Sequence, residues 1–161
     1  MPVELALYQP DIPQNTGTLI RLSACLGFVL HIIHPTGFTF SDRHLRRSAM
    51  DYADSASIVF HNSFEHFEDW RWQNHRRLVL MTTKTADSAY DFAFSPADIL
   101  LAGRETGGVS EDAADAADAA VRIPMRPGLR SINVALASSM LMGEALRQTS
   151  ALPDGNPDGI M

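Results

Sequence analysis

Two rhythms of apolar residues alternate along the chain. Short stretches at Val3–Tyr8, Phe28–Ile33, Ser57–Phe60, Arg77–Thr82, Asp98–Ala102 and Ala120–Ile123 have the length and content of strands. Runs with helical spacing lie between them. Leu19, Leu22 and Leu26 share one face of a helix ending at about Leu26, with Asn15 or Thr16 as its cap and Gly27 as its stop. Ser41 can cap a short basic helix reaching Ser48, and Ser63 one reaching Trp72, with Phe64, Phe67 and Trp70 turned inward. Ser110 heads an alanine-rich helix to about Asp118, and Asn133–Gln148 forms the last one. Strands alternating with helices, several of them apolar on both faces, predict an α/β fold with a mainly parallel sheet and helices on both faces. With no internal repeat or linker, residues 1–150 read as one domain and 151–161, with two Pro and two Gly, as a flexible tail.

Composition narrows the class. At 161 residues, 45% hydrophobic and 20% charged, the chain can bury a real core. A lone Cys25 excludes an internal disulfide framework, and MPVELALYQP lacks the basic-then-apolar pattern of a signal peptide, so a cytoplasmic setting is expected. The net charge of −6 argues against a nucleic-acid partner until its distribution is considered. Glu111, Asp112, Asp115, Asp118, Asp154 and Asp158 hold six of the acids, and without them 13 acids face 13 bases. Twelve of those bases are Arg, whose planar fork matches phosphate oxygens. They cluster around Arg43–Arg47, around Arg71–Arg77, and in Arg122, Arg126 and Arg130.

In a parallel sheet, ligands bind outside the carboxyl ends of the strands. Three loops there carry the densest chemistry: Gln9–Thr16, Gly103–Gly108 (GRETGG), and the stiff segment Arg122–Asn133 (RIPMRPGLRSIN). GRETGG is only loosely like a phosphate cradle and lacks the Lys-Ser/Thr of a P-loop. Its Glu105 can accept hydrogen bonds from a ligand or pair with an Arg. Asn15 serves as a helix cap or as a ligand contact. Arg21, about a turn beyond Gly17, is a surface Arg or one reaching back over the loop. None of the six His has a Cys or carboxylate at ligand spacing, so no metal site is expected. Cys25 reads as a buried structural thiol.

Taken in order, P-x-I-P-x-N-T-G-x-x-I-R at Pro10–Arg21, G-x-E-T-x-G at Gly103–Gly108 and R-I-P-M-x-P-x-x-R-S-x-N at Arg122–Asn133 resemble the SPOUT class of RNA methyltransferases. Within that class the chain is similar to the small tRNA 2'-O-methyltransferases acting on cytidine or uridine at the first anticodon position. GF-x-L-H-I-I at Gly27–Ile33, L-R-R at Leu45–Arg47 and TTK at Thr82–Lys84 extend the likeness from Leu5 to about Gln148.

The resemblance implies a Rossmann-like domain with a C-terminal trefoil knot, a homodimer with the final helix at its interface, and S-adenosylmethionine as cofactor. Small residues Ala135, Ala137, Ser138, Ser139 and Gly143 are expected to allow close helix approach. The cofactor is expected against Met81, Gly103, Gly108, Ile123 and Ser131, with Met125 and Leu129 nearby. Arg21 matches the family's catalytic arginine, with Asn15, Glu105, Ser131 and Asn133 as the other catalytic positions. Arg46, Arg47, Arg126 and Arg130 are the expected RNA contacts. The implied substrate is cytidine 34 or modified uridine 34, with tRNA-Leu isoacceptors expected. Alternatives are another tRNA or ribosomal RNA site, or a non-catalytic RNA-binding dimer. The chain departs from the family pattern at Arg104, where Pro is usual, at Gly107, where Arg is usual, and at Ala135 and Leu136, where Ser and Asn are usual.

Overall fold

The fold is that of a computed structural model describing residues 2–155. Six strands form one sheet: β1 (Glu4–Tyr8), β2 (Val29–Ile33), β3 (Ser57–His61), β4 (Arg77–Met81), β5 (Asp98–Ala102) and β6 (Ala119–Val121). Their order is β3-β2-β1-β5-β4-β6, and every neighbouring pair is parallel. Five α-helices connect them: α1 (Pro13–Leu26), α2 (Arg43–Ala49), α3 (Phe64–Gln73), α4 (Glu111–Ala116) and α5 (Val134–Gln148). A 3-10 turn at Tyr52–Ser55, absent from the sequence expectation, joins α2 to β3.

Strand alternation sorts the core into two layers. Leu5 and Leu7 point to the layer of Leu19 and Ile20 from α1, Leu45 from α2, and Leu141 and Leu146 from α5. Ala6 and Tyr8 point to the other layer, with Phe67 from α3 and Ala113 from α4. Phe64 and Trp70 pack beside Phe67, as their spacing predicted. α1 and α2 touch closely at Gly17, where a Cβ would come within 2.5 Å of the Leu45 carbonyl oxygen.

Several local expectations shift. α1 starts at Pro13, whose missing N–H suits a first helical turn, so neither Asn15 nor Thr16 is the cap. Gly27 does stop the helix, at φ 77°. Asp42, not Ser41, caps α2, accepting from the backbone N–H of His44 (2.7 Å) and Leu45. Cys25 is exposed, and Ser23 takes the buried position on α1. Asp118 lies beyond α4 and is no part of a solvated helix face: it accepts from the Leu78 N–H at 2.7 Å and pairs with Arg71 at 3.0 Å. Ala135 and Ser138 face the domain's own core, leaving Leu136 and Met140 as the exposed apolar residues of α5. Ala151 packs against the core and donates to the Leu146 carbonyl; of the expected tail, 156–161 fall outside the described residues.

From β6 at one edge the chain returns to α5, which packs on α1, β1 and β5. Segment 122–133 therefore crosses the carboxyl ends of β4 and β5. It is tied on entry, where the Arg122 N–H donates to Asp87 O and the Arg122 carbonyl accepts from Ala89 N.

A polar line crosses the layer under α3. Ala6 pairs with His31 and His31 with Val59, so Glu4, His31 and His61 lie on a diagonal of one sheet face. His31 Nε2 contacts Glu4 Oε2 at 2.8 Å, and His31 Nδ1 contacts His61 Nε2 at 2.9 Å. Arg76 closes the line on Glu4 Oε1 at 2.6 Å. The line is satisfied with His61 donating to His31 and His31 donating to the Glu4 carboxylate. Burial, then the neighbouring His31 and His66, push the His61 imidazole down to about 4. An unfolded His titrates near 6.5, so as pH falls from about 6.5 to about 4 the unfolded chain takes up a proton that the folded one refuses. Stability should therefore drop across that window, by at most about 3 kcal/mol. Urea denaturation at a series of pH values checks this, and His61→Gln, which can still donate to His31, should flatten the slope.

Candidate functional site

The carboxyl ends of β1, β4, β5 and β6 open onto a pocket of about 920 Å³. The strand order reverses direction between β1 and β5, a switch point where loops diverge and leave a crevice. Leu80, Met81, Val121, Ile123 and Leu141 give it apolar walls. Its rim comes from Asn15 on α1, from Thr82–Lys84, from Gly103–Gly108, and from Ser131 and Asn133 ahead of α5. The Gly103–Gly108 loop is a closed turn: Arg104 N donates to Gly108 O at 3.0 Å, and Gly108 N to Arg104 O at 2.9 Å. A Cβ at Gly103 would lie 2.8 Å from the Gly108 backbone, and Gly108 itself has φ 64°, so both positions require glycine.

A chain of hydrogen bonds joins three of these loops. Asn133 Nδ2 donates to Asn15 Oδ1 at 3.2 Å, and Asn15 Nδ2 to Glu105 Oε1 at 3.3 Å. Glu105 Oε2 accepts from the Asp11 N–H at 3.1 Å, and the Glu105 N–H donates to Asp11 Oδ1 at 3.2 Å. Thr106 donates its hydroxyl to the other Asp11 oxygen. Asn133 also caps α5 through Oδ1, which accepts from Ala135 N at 2.9 Å and Leu136 N at 3.2 Å. Burial, then the nearby Asp11, raise the Glu105 carboxyl above the usual range. Asp11 is lowered, first by its contact with Glu105.

Most expected site residues converge here. Asn15, Glu105, Ser131 and Asn133 share the pocket with Met81, Gly103, Gly108, Ile123 and Met125. Leu129 does not line it and is 68% exposed. Arg21 does not reach it either: its Nη1 contacts Met50 Sδ at 3.2 Å and its guanidinium lies 4.8 Å from the Tyr52 ring centroid, on the exposed side of α1. Arg46 and Arg47 are exposed on α2, and Arg126 and Arg130 on the crossing segment. Asp11 was missed by the sequence reading, although its place three residues after the β1 end and beside a Pro-rich turn was the available signal. Among the described residues, no group of three or more His, Cys, Asp and Glu is placed to hold a metal ion, and no helix is long and apolar enough to cross a membrane.

Fold and site together define an α/β protein with a pocket at the carboxyl edge of a parallel sheet. Residues 2–143 match the model of the SpoU rRNA Methylase family. The chain is 56% identical over 148 residues to a tRNA (cytidine(34)-2'-O)-methyltransferase of Beijerinckia indica, covering 92% of each. It is 39% identical to the protein of the same name from Escherichia coli, covering 91% of this chain and 93% of that one. A solved structure described as giving insight into 2-OH methylation of C/U34 on tRNA superposes with TM-score 0.85 at 36% identity, over 91% of this chain and 95% of the other. The SpoU methyltransferase AviRb of Streptomyces viridochromogenes, solved in complex with AdoMet, gives 0.84 at 27%, over 91% and 60%. The chain belongs to the SpoU methylase family and is a methyltransferase by class.

Asn133 has two separable duties, the cap and the link to Asn15. Asn133→Ala should cost about 0.5–2 kcal/mol of stability in chemical denaturation. Asn133→Asp, which keeps the cap oxygen and loses the donor to Asn15, should stay near the parent stability while losing methyl transfer.

Proposed function

We propose that the protein transfers the methyl group of S-adenosylmethionine to the ribose 2'-hydroxyl of nucleotide 34 in tRNA, acting on cytidine or modified uridine in tRNA-Leu isoacceptors. The observation that carries this reading is the Asn133–Asn15–Glu105 hydrogen-bond chain at the rim of an apolar-walled pocket. The walls suit the cofactor: Met81, Ile123 and Leu141 offer apolar surface for an adenine ring, and the Gly103–Gly108 turn exposes main-chain groups for its polar edge. Bound there, the cofactor supplies a methyl group on an electrophilic sulfonium.

The protein's own share is positioning and charge. The reacting oxygen bonds to the methyl as the sulfur–methyl bond breaks, leaving S-adenosylhomocysteine, and the hydroxyl proton passes to water, so alkoxide character develops and needs stabilisation. Asn15, Ser131 and Asn133 offer donors at the rim, and Glu105 holds the Asn15 amide in place. Arg21 is a poor base, with a guanidinium pKa above about 12, and suits orienting the ribose or phosphate and countering the developing charge. Because Arg21 lies away from its own pocket, it serves the pocket of a second copy. The exposed Leu136 and Met140, one turn apart on α5, suit a homodimer contact. The crossing of segment 122–133 over β4 and β5 is read as the family's trefoil knot. Arg46, Arg47, Arg126 and Arg130, all exposed, are the proposed RNA contacts, and the working compartment is the cytoplasm.

Nucleoside mass spectrometry of tRNA from cells lacking the protein should show loss of the 2'-O-methyl mark at position 34. An unchanged position 34 with a mark lost from ribosomal RNA would refute the substrate. Arg21→Ala should lower kcat by at least about a hundredfold. Mixing Arg21→Ala with Glu105→Gln protein should regain activity that neither parent has, if Arg21 acts in the partner's pocket; no recovery would mean that it acts in its own.

A further inference from the structure

The hydrogen-bond chain of the site leaves out one charged side chain on the pocket wall. Arg104 lies two residues past the end of β5, and both its main-chain polar groups are fixed by Gly108. Its side chain runs along Gly107: a Cβ there would lie 3.6 Å from Arg104 Nε and 3.8 Å from Cδ, an ordinary contact that a bulkier residue would crowd. The guanidinium carbon stands 5.7 Å from the centroid of the Tyr8 ring, at the end of β1. Arg104 is thus held from both sides while lining the pocket.

A place on the pocket wall, no ion pair among the described residues and a buried Nε together set it apart. Arg71, Arg76, Arg77 and Arg147 each hold a carboxylate. Arg104 forms no ion pair among the described residues, and its Nε is buried with no acceptor. Glu105, its neighbour in sequence, is turned away to Asn15 and the Asp11 N–H. A buried donor left without an acceptor is costly, and more so on a charged group. The Arg104 Nη groups hold no hydrogen bond among the described residues either but are not buried, so on the wall of a ligand pocket they are the donors a ligand can reach. The two Nη groups of a guanidinium form a fork that fits two oxygens of one oxyanion, and Tyr8 and Gly107 restrict that fork before the ligand arrives.

We propose that Arg104 is an oxyanion-binding residue of this pocket, receiving either a phosphate of the substrate RNA or the carboxylate of the cofactor. This rests on the methyl-transfer reading above. Both ligands present the same chemistry, two oxygens sharing a negative charge, and they are separable in solution.

The test compares wild type with Arg104→Gln and Arg104→Lys, each checked for an unchanged melting temperature, in binding S-adenosylhomocysteine and in binding substrate tRNA across a salt series. If a phosphate is the partner, Arg104→Gln should weaken tRNA binding about tenfold and lower the slope of log affinity against log salt by about one, with S-adenosylhomocysteine unmoved. Arg104→Lys should restore the slope, since it keeps the charge, while recovering only part of the affinity, since it lacks the fork. If the carboxylate is the partner, S-adenosylhomocysteine affinity should fall instead and the salt slope stay fixed. Unchanged binding of both ligands by Arg104→Gln overturns the proposal. Wild type is assayed alongside on tRNA and ribosomal RNA. Should it methylate another RNA, the substrate assignment fails, and the Arg104 comparison is read on that RNA.

Discussion

The Asn133–Asn15–Glu105–Asp11 chain is the interaction on which the site depends. It joins the start of α5, the first turn of α1, the turn after β5 and the loop after β1, elements up to 118 residues apart in sequence. A parallel sheet brings the carboxyl ends of its strands to one edge, but the loops leaving it have no reason to meet. Here two side-chain amides and a carboxylate fasten them. Each amide is used at both ends, Asn15 as donor and acceptor and Asn133 as donor to Asn15 and acceptor at the helix cap. Losing any member frees a loop as well as a contact, which is why pocket shape and polar geometry stand or fall together.

The sheet beneath is stiffened by polar groups of another kind. Glu4, His31, His61 and Arg76 form one connected line through an otherwise apolar layer, and Arg71 joins Glu68, Asp118 and the Arg76 carbonyl. Buried ionic groups contribute little net stability, because their desolvation offsets their attraction. Their effect is to fix register: Glu4, His31 and His61 lie on three different strands, and Asp118 ties Arg71 of α3 to the β4 backbone, so a slip of one residue would leave a buried charge alone. The rigid plate that results carries the four loops of the pocket at fixed spacing.

The sequence made the strands and helices legible because their apolar periods are unambiguous, and it made the parallel sheet legible because strands and helices alternate. Strand order was not legible, since register depends on partners distant in the chain. Caps were misread where two candidates stood side by side. Ser41 and Asp42 both suit a cap, and the carboxylate took it; Asn15 suited one too, but Pro13 begins the helix earlier and releases Asn15 for the site. The pocket residues were found through the family's motifs and not through periodicity. Asp11 went unseen because its role is defined only by where the Glu105 loop comes to rest. The Glu4–His31 contact went unseen for a like reason: it is diagonal across strands, and no spacing along the chain encodes it.

The layered fold also separates charges in a way that suits the proposed RNA substrate of an acidic chain. α1 and α2 lie on one layer, where the exposed Arg43, His44, Arg46 and Arg47 stand at one end of a patch that Arg21 reaches through Met50. α4, with exposed Glu111, Asp112 and Asp115, lies on the opposite layer. Two layers at about 10 Å each exceed the screening length of about 8 Å at physiological salt, so the acids of α4 exert little on the basic patch. Net charge averages over both faces, whereas a polyanion meets only one of them. Under the proposed function, the face it meets also carries Arg21, so the proposed RNA contacts and the proposed catalytic guanidinium share one surface, with the acids of α4 on the far side of the sheet.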